Sequence, residues 1–161
     1  MKVVIFGMSQ VGKTTYADSL DLPHYCFDYL FPWAELESFP ELSIDKALEN
    51  ITNILDKQDS YVLDGWHLSD IDGNLLPEDC EIHVLYDHHK NIIDRYTAPV
   101  IALDNHCEMY KKWYGNINDS MRIKFYEVRY GKMPEQQTFE HFCNFRELEW
   151  IRLAETADKI N

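Results

Sequence analysis

The fold of this chain is decided by one segment near its start, Gly7-Met8-Ser9-Gln10-Val11-Gly12-Lys13-Thr14. The segment follows the apolar run Val3–Phe6 and precedes a helical pattern that begins near Lys13. Glycine, four free positions, glycine, lysine and threonine is the spacing of a phosphate-binding loop. Two glycines let the backbone curl so that its N–H groups point at phosphate oxygens, and the following helix directs its positive end at the same anion. The segment therefore predicts that the chain binds a nucleoside triphosphate.

Three residues at the end of this segment have predicted roles of their own. Lys13 can reach the β- and γ-phosphates, and the Thr14 hydroxyl can ligate magnesium. Thr15 completes the predicted nucleotide-binding set, which begins at Gly7. A glycine-rich turn that binds nothing is the alternative, and the strand before the loop and the helix after it argue against that alternative.

Composition is typical of a globular protein with one domain, residues 1–161. No apolar run approaches the roughly twenty residues of a membrane span, and the first residues lack the pattern of a signal peptide. The four cysteines are scattered and include no C-x-x-C pair, which indicates reduced thiols and neither a disulfide framework nor a zinc site. We therefore expect a cytoplasmic protein with no membrane partner.

The net charge of −13 is unevenly distributed along the chain. Residues 90–132 hold eight of the fifteen lysine and arginine residues and only five acidic ones, so the remainder is strongly acidic. An acidic body disfavours non-specific attraction to nucleic acid, because neutralising phosphates requires a basic face. The basic segment could still bind a nucleic acid locally or form a lid, and chance clustering of solvated charges is the open alternative.

Short β-type runs alternate with helical ones, a pattern typical of a parallel sheet covered on both faces. Strands are predicted at Lys2–Phe6, His24–Asp28, Ser60–Asp64 and Glu81–Tyr86. Helices are predicted at Thr14–Leu20 and Ile44–Lys57 and, beyond residue 88, at about 89–97, 104–114, 118–131 and 136–157, with an irregular or short-helical acceptor region at Phe31–Leu42. Residues 158–161 are either a short final strand or a frayed end. A doubly wound sheet of this kind binds its ligand at the carboxyl ends of its strands.

Two acidic residues end predicted strands at that edge. Asp64 is followed by Gly65, so a carboxylate that can hold magnesium through water adjoins a glycine that lets a substrate approach the backbone. Asp28 ends the second predicted strand, where it can act as a general base that accepts the proton of an acceptor hydroxyl. An ordinary Asp-Gly turn and a helix or turn cap are the respective alternatives.

Arg122 and Arg129 lie seven positions apart in a predicted helical run, which would put both guanidinium groups on one helix face. On a mobile cover they could bind ATP phosphates and stabilise the transferring phosphoryl group, and Arg95 is a weaker candidate for this role. A solvated helix face paired with Glu127 is the alternative.

Trp33 and Trp66 follow the second and third predicted strands, close to where an acceptor would bind. Stacking of these rings on a planar base would favour a nucleoside-like acceptor. Packing of both rings in the core is the alternative.

Together these features resemble the P-loop kinases of small molecules and nucleotides, a group that includes shikimate, gluconate and nucleoside kinases and the kinase domain of polynucleotide kinase. The resemblance covers the order of elements over most of the chain, and only the phosphate loop is specific as a motif. It implies a three-layer α/β/α fold with a helical lid region and a parallel sheet of about five strands in the order 2-3-1-4-5. It also implies the roles of the site residues: ATP binding by Lys13 and the loop amides, magnesium at Thr14 and Asp64, general-base action by Asp28, and lid arginines at Arg122 and Arg129.

One departure from this group concerns the base of the nucleotide. Members continue past the fifth strand into a loop that surrounds the adenine, whereas here residues 157–161 resemble that strand and the chain stops. This predicts poor discrimination between ATP and GTP.

The sequence thus predicts a magnesium-dependent kinase that transfers the γ-phosphoryl group of ATP to a hydroxyl of a small acceptor, a nucleoside or nucleotide-like molecule first. The Asn-Lys-x-Asp element with which GTPases recognise guanine does not occur in the sequence. Two alternatives stay open. One is a nucleic-acid kinase acting on a 5′-hydroxyl or a hydroxymethylated base in DNA, and the other is a nucleotide-binding switch or adaptor module without catalysis.

Overall fold

A computed structural model of the chain describes residues 1–30, 43–65, 68, 76–95, 103–129 and 131–160. The strands are β1 (Lys2–Phe6), β2 (His24–Cys26), β3 (Tyr61–Asp64), β4 (Cys80–Tyr86), β5 (Ile123–Glu127) and β6 (Glu135–Gln137). The helices are α1 (Lys13–Ser19), α2 (Phe27–Leu30), α3 (Ile44–Leu55), α4 (His89–Asp94), α5 (Leu103–Tyr114) and α6 (Phe139–Ile160). Within these ranges no helix has both the length and the apolar composition that crossing a membrane requires.

The strands of the described ranges form one sheet in the order β2-β3-β1-β4-β5-β6. Neighbours from β2 to β5 are parallel, and β6 pairs antiparallel with β5. Val3, Val4 and Ile5 of β1 are all fully buried although successive side chains point to opposite faces, so both faces of the sheet are covered. The predicted fold with a parallel order 2-3-1-4-5 is confirmed, and β6 adds one edge strand.

Parallel pairing brings the carboxyl ends of three strands to one edge of the sheet. Val4 of β1 pairs with Leu63 of β3, and Cys26 of β2 pairs with Asp64 of β3. The residues that follow β1, β2 and β3 therefore begin next to one another, which is where a parallel sheet binds its ligand.

The chain turns sharply between β1 and α1. Gln10 and Gly12 have positive φ angles of 67° and 106°, which curl the backbone of the loop. A Cβ atom on Gly7 would lie 2.9 Å from the carbonyl oxygen of Leu85 and 2.8 Å from Cγ1 of Val11, so the loop can approach β4 this closely only with glycine at that position.

Three predicted elements differ from the structure. β2 ends at Cys26, so Asp28 lies in α2 and not at the end of the strand. Residues 118–131 do not form a helix, because the aromatic and β-branched run Ile123–Glu127 pairs with β4 and buries Phe125. Residues 158–160 continue α6, so a final strand there is wrong and β5 is the fifth parallel strand. The predicted acceptor region Phe31–Leu42 lies outside the described residues.

A buried carboxylate joins α6 to the connection between β4 and α4. Glu149 has a side chain that is 1% exposed, and its Oε1 accepts hydrogen bonds from His88 Nδ1 and Arg152, both at 2.7 Å. Its Oε2 accepts from the backbone N–H of His89 at 3.1 Å and from His89 Nδ1 at 2.7 Å. Burial alone would raise the pKa of Glu149, but these hydrogen bonds outweigh it and hold the pKa well below the ordinary value.

We expect Glu149→Gln to lower the free energy of unfolding by about 2–3 kcal/mol at pH 7, because an amide cannot accept all of these hydrogen bonds. Since the folded pKa is depressed, the contribution of the carboxylate is complete above the unfolded pKa of about 4.3 and is lost as the pH falls. Urea denaturation should therefore give a smaller difference between wild type and variant at pH 3.5 than at pH 7. Glu147→Gln alters an exposed neighbour and is the control; equal losses in the two variants would contradict this account.

Candidate active site

A cavity of about 520 Å³ opens at the carboxyl edge of the sheet. Its described walls consist of Ser9, Gln10, Gly12, Lys13, Thr14, Thr15, Cys26, Asp28, Asp64, Gly65 and Arg95. The structure thus brings together the phosphate loop, both predicted carboxylates and one arginine. Gly7, Met8 and Val11, which belong to the predicted nucleotide-binding set, are buried in the same loop.

The amine of Lys13 lies against the backbone of the phosphate loop. Its Nζ donates hydrogen bonds to the carbonyl oxygens of Gly7 at 2.8 Å and Met8 at 2.9 Å. The amine also lies 5.2 Å from the centre of the Trp113 ring, within range of a cation–π interaction. Burial lowers the pKa of Lys13 to about 8, and the negative charges of Asp64 and Asp28 oppose that effect. Lys13 is therefore cationic at pH 7, on the wall from which an anion would be bound.

A buried tyrosine connects the phosphate loop to the sheet by hydrogen bonds. The Tyr114 hydroxyl, at the end of α5, accepts a hydrogen bond from the N–H of Met8 at 3.3 Å and donates one to the carbonyl oxygen of Leu85 at 2.6 Å. Because Leu85 belongs to β4, this hydroxyl connects the loop to the sheet. The sequence offered no signal for it, since a tyrosine at this position is also an ordinary core residue.

Thr14 and Asp64 form the pair in which magnesium would be held. The Thr14 hydroxyl donates to Asp64 Oδ2 at 3.3 Å, and the Asp64 side chain is 3% exposed. The hydroxyl in the first turn of α1 and the buried carboxylate at the end of β3 are hard oxygen donors of the kind that magnesium prefers. The described residues contain no group of three or more His, Cys, Asp or Glu that could hold a metal ion. A magnesium ion bound here would have Thr14 and Asp64 as its protein donors among the described residues.

The second oxygen of Asp64 is occupied by a residue that the sequence analysis missed. His24 Nε2 lies 2.7 Å from Asp64 Oδ1, and His24 Nδ1 lies 2.9 Å from Asp18 Oδ1. Burial lowers the pKa of His24, but the hydrogen bonds and charges of Asp64 and Asp18 outweigh it, so the pKa is raised overall. A signal was present in the sequence, because Asp18 follows Thr14 by four residues and hence lies on the same face of α1.

Asp28 reaches the cavity from the first turn of α2 and not from a strand. Its position depends on Gly65: a Cβ atom there would lie 2.8 Å from Cβ of Phe27 and 3.3 Å from the N atom of Asp28. The end of β3 therefore packs directly against the start of α2. The glycine that was predicted to admit a substrate has this packing role as well.

Arg95 lines the cavity beside the phosphate loop. One of its nitrogens donates to Asp87 Oδ2 at 2.6 Å and the other to the carbonyl oxygen of Gln10 at 3.3 Å. Asp87 is buried at the end of β4, and its Oδ1 accepts from the backbone of His88 and from Asn91. The guanidinium is thus held in one orientation before any ligand binds.

The two arginines predicted to share a helix face lie at opposite ends of β5. Arg122 precedes the strand at its amino end, where it donates to the carbonyl oxygen of Pro77 at 2.9 Å. Arg129 follows the strand at the carboxyl end and pairs with Glu135 at 3.1 Å. Seven residues of extended chain span roughly 20 Å, so Arg122 and Arg129 cannot act on one phosphate and the predicted pair of lid arginines is wrong. Arg95, the weaker candidate for the same role, is the arginine that lines the cavity among the described residues.

A second groove of about 260 Å³ adjoins the phosphate loop on the side of β5. Gly12, Thr15 and Arg95 line it from one side, and residues 128, 129 and 131–134 line it from the other. These last residues follow the fifth parallel strand. The expectation that the chain ends before such a loop is therefore wrong, and the basis for predicting poor discrimination between ATP and GTP is removed.

Trp33 and Trp66, the predicted acceptor-stacking residues, lie outside the described residues. Away from the phosphate loop and Arg95, the described lining of the cavity consists of Cys26, Asp28 and the end of β3. The roles proposed for the two tryptophans remain predictions.

The fold is shared with solved kinase structures that are distant in sequence. A gluconokinase from Sinorhizobium meliloti 1021 has 16% identity and a TM-score of 0.54, with 99% of this chain and 97% of that chain covered. A sugar kinase from Janibacter sp. HTCC2649 has 16% identity and a TM-score of 0.56, with 95% of each chain covered. A shikimate kinase from Bacteroides thetaiotaomicron has 14% identity and a TM-score of 0.52, with 98% of each chain covered. No protein-family model and no curated protein sequence matches the chain.

The chain therefore has the fold of the P-loop kinases, and the resemblance inferred from its sequence is confirmed at the level of the fold. With identities this low, the likeness establishes the architecture and leaves the chemistry to be argued from the cavity itself.

The environment of Lys13 can be tested by acetylation at a series of pH values followed by mass spectrometry. We expect a midpoint near pH 8 for Lys13, against about 10.4 for the lysine of a short unstructured reference peptide treated in the same way. ATP with magnesium should raise the midpoint for Lys13, because the phosphates favour the protonated amine. A midpoint for Lys13 near that of the reference peptide would show that its amine is not buried against the loop.

Proposed function

We propose that this protein is a magnesium-dependent kinase that transfers the γ-phosphoryl group of ATP to a hydroxyl of a small molecule. One observation carries the proposal: the phosphate loop with Lys13, the Thr14–Asp64 pair and Asp28 all line one cavity at the carboxyl edge of the sheet. Phosphoryl transfer needs positioning and charge compensation more than covalent chemistry from the protein. The residues that line the cavity are of the types that supply both.

The donor would be bound by the loop side of the cavity. Backbone N–H groups of the loop and of the first turn of α1 have no partner within the helix and can bind the phosphates. Lys13 would bind the β- and γ-phosphates, and Arg95 would stabilise charge on the transferring group. The groove lined by residues 128, 129 and 131–134 is the place for the base. Magnesium, held through Thr14 and Asp64, would neutralise charge between the β- and γ-phosphates.

Asp28 would orient the acceptor and accept its proton. The acceptor oxygen forms a bond to the γ-phosphorus as the bond to the β–γ bridging oxygen breaks, the hydroxyl proton passes to Asp28, and ADP leaves. The similar structures named as gluconokinase, sugar kinase and shikimate kinase support a small hydroxyl acceptor for this fold.

The distribution of charge favours an acceptor without a negative group. Residues 14–45 and 58–89, which carry β2 and β3, contain fifteen acidic residues and no lysine or arginine. Among the described residues of the cavity, the cations are Lys13 and Arg95, and both bind the phosphate loop. A carboxylate or phosphate on the acceptor would ordinarily be bound by arginine or lysine. A nucleoside therefore fits this side better than a nucleoside monophosphate does.

The nucleic-acid alternative is weakened by the way the basic residues are distributed. Within the described part of residues 90–132, Lys124 pairs with Glu81 and Arg129 with Glu135, while Arg122 lies at the far end of β5. Arg122 and Arg129, at opposite ends of β5, therefore do not lie side by side on one phosphate-binding face. The adaptor alternative has no specific observation in its favour.

The kinase proposal is tested with γ-labelled ATP, magnesium and pools of nucleosides, sugars and oligonucleotides. We expect label in a small-molecule pool, loss of transfer in Lys13→Ala, and a fall in kcat of about a hundredfold in Asp28→Asn with ATP affinity retained, since a general base contributes to the chemical step. Asp21→Asn removes the same charge from an exposed turn and should behave as wild type. If Asp28→Asn loses ATP affinity and keeps kcat, Asp28 is not the base. Label only in oligonucleotides would instead favour the nucleic-acid kinase.

The charge of the acceptor is tested by dividing a metabolite extract into anionic, neutral and cationic fractions by ion exchange at pH 7. We expect the neutral or cationic fraction to support transfer at least about tenfold better than the anionic one, because the acceptor side of the cavity is acidic. Adenosine against AMP, and glucosamine against gluconate, are matched single compounds for the same comparison. Transfer confined to the anionic fraction would contradict the charge argument and leave the kinase proposal intact.

A further inference from the structure

Four side chains form a continuous hydrogen-bonded chain between α1 and the sheet. Thr14 donates to Asp64 Oδ2 at 3.3 Å, and Asp64 Oδ1 accepts from His24 Nε2 at 2.7 Å. His24 Nδ1 in turn lies 2.9 Å from Asp18 Oδ1, and since both partners are carboxylates, the ring donates to both when each of its nitrogens carries a proton. Thr14 and Asp18 belong to α1, so this series of hydrogen bonds begins and ends on the same helix.

The spacing of these residues follows from the geometry of the two elements. Thr14 and Asp18 are four residues apart on one helix face, a rise of about 6 Å. Asp64 is registered with Cys26, and His24 lies two residues before Cys26 on the same face of β2, a rise of about 6.6 Å. Because the two rises nearly match, Thr14 can lie opposite Asp64 while Asp18 lies opposite His24.

The chain of contacts restricts the orientation of Asp64. A carboxylate with one partner can still rotate, whereas hydrogen bonds on both oxygens fix the plane of the group. His24 occupies Oδ1, so Oδ2 is the oxygen that faces Thr14 and the cavity. The Asp64 side chain is 3% exposed and the His24 side chain 19% exposed, so water competes little for these contacts.

Asp18 has a different place in the chain of contacts. Its side chain is 67% exposed, and its carboxylate holds His24 Nδ1, which directs Nε2 at Asp64. Because Asp18 and Asp64 are both acceptors, each ring nitrogen of His24 has to carry a proton for both contacts to form, and the contact at Nδ1 then fixes the ring plane that aims Nε2 at Asp64.

We propose that His24 is a positioning residue that holds Asp64 in the orientation needed for magnesium, and that Asp18 holds His24. The proposal rests on the function proposed above, because it assigns Asp64 to the metal. His24 itself touches neither nucleotide nor metal in this arrangement. Loss of a partner of this kind typically costs 10- to 100-fold in metal affinity or activity.

Two substitutions of the same residue separate positioning from packing. The amide nitrogen of glutamine can replace Nε2, whereas that of asparagine can replace only Nδ1. We expect His24→Asn to weaken Mn²⁺ binding in the presence of ATP by about tenfold, and His24→Gln to restore it to within about threefold of wild type. Binding of Mn²⁺ is followed by its electron paramagnetic resonance signal, and ATP binding in EDTA should be unchanged in both variants.

Asp18 provides a second pair that does not depend on the folding of the His24 variants. Asp18→Asn keeps an acceptor oxygen for His24 and should bind Mn²⁺ as wild type, whereas Asp18→Ala should bind it about threefold more weakly. The position is exposed on α1, so both variants are expected to fold, which circular dichroism verifies.

The possible results are distinguishable. Equal losses in His24→Asn and His24→Gln, a loss that persists in EDTA, or wild-type binding in Asp18→Ala would each overturn the positioning role while ATP binding by the protein stands. If the wild-type protein itself fails to bind Mn²⁺ with ATP, the proposed function is wrong and this inference with it.

Discussion

The parallel pairing of β1 with β3 on one side and β4 on the other is the constraint on which the site depends. Val3, Val4 and Ile5 of β1 are fully buried, so this strand cannot shift its register without moving apolar side chains out of the core. The register fixes where the phosphate loop leaves the sheet relative to Asp64 and, through β2, relative to Cys26 and α2. Every described residue that lines the cavity, except Arg95, lies in or directly after β1, β2 or β3. The position of the site is thus a consequence of the core.

Within that frame the charged groups are held by other groups of the protein. Lys13 is bound to loop carbonyl oxygens, Arg95 to Asp87, and Asp64 to Thr14 and His24. Groups that are already oriented do not have to be reorganised when charge develops in a reaction, which is the physical basis of electrostatic stabilisation in enzymes. Among the described residues of the cavity, the cations Lys13 and Arg95 are attached to the phosphate loop, and the carboxylates are Asp28 and Asp64.

The extent to which the sequence predicted this structure follows from the kind of signal in each segment. The phosphate loop and the strands β1, β3 and β4 carry strong local patterns, and the positions of Asp64 and Gly65 follow from them. β5 was missed because Arg122 and Arg129 fit a helical spacing of seven, although the run between them is rich in strand-forming residues. Because of that error the fifth strand was predicted at the end of the chain, and the groove lining at residues 128, 129 and 131–134 was missed. Long-range pairing with β4 decided the structure of this segment, and no local pattern reports such pairing.

Residues that act through another residue are the hardest to find from a sequence. Lys13, Thr14 and Asp64 could be named because their chemistry is tied to a motif or to the end of a strand. No motif and no strand end marks His24 or Tyr114 in the sequence. Each can be identified only when the tertiary structure shows that it contacts a residue with a predicted role. Asp18 is intermediate, since its spacing from Thr14 puts it on the right face of α1, but the partner that makes the spacing meaningful lies on another element. Topology therefore has to be known before positioning residues can be identified, and the register between β2 and β3 is the specific piece of topology that identifies His24.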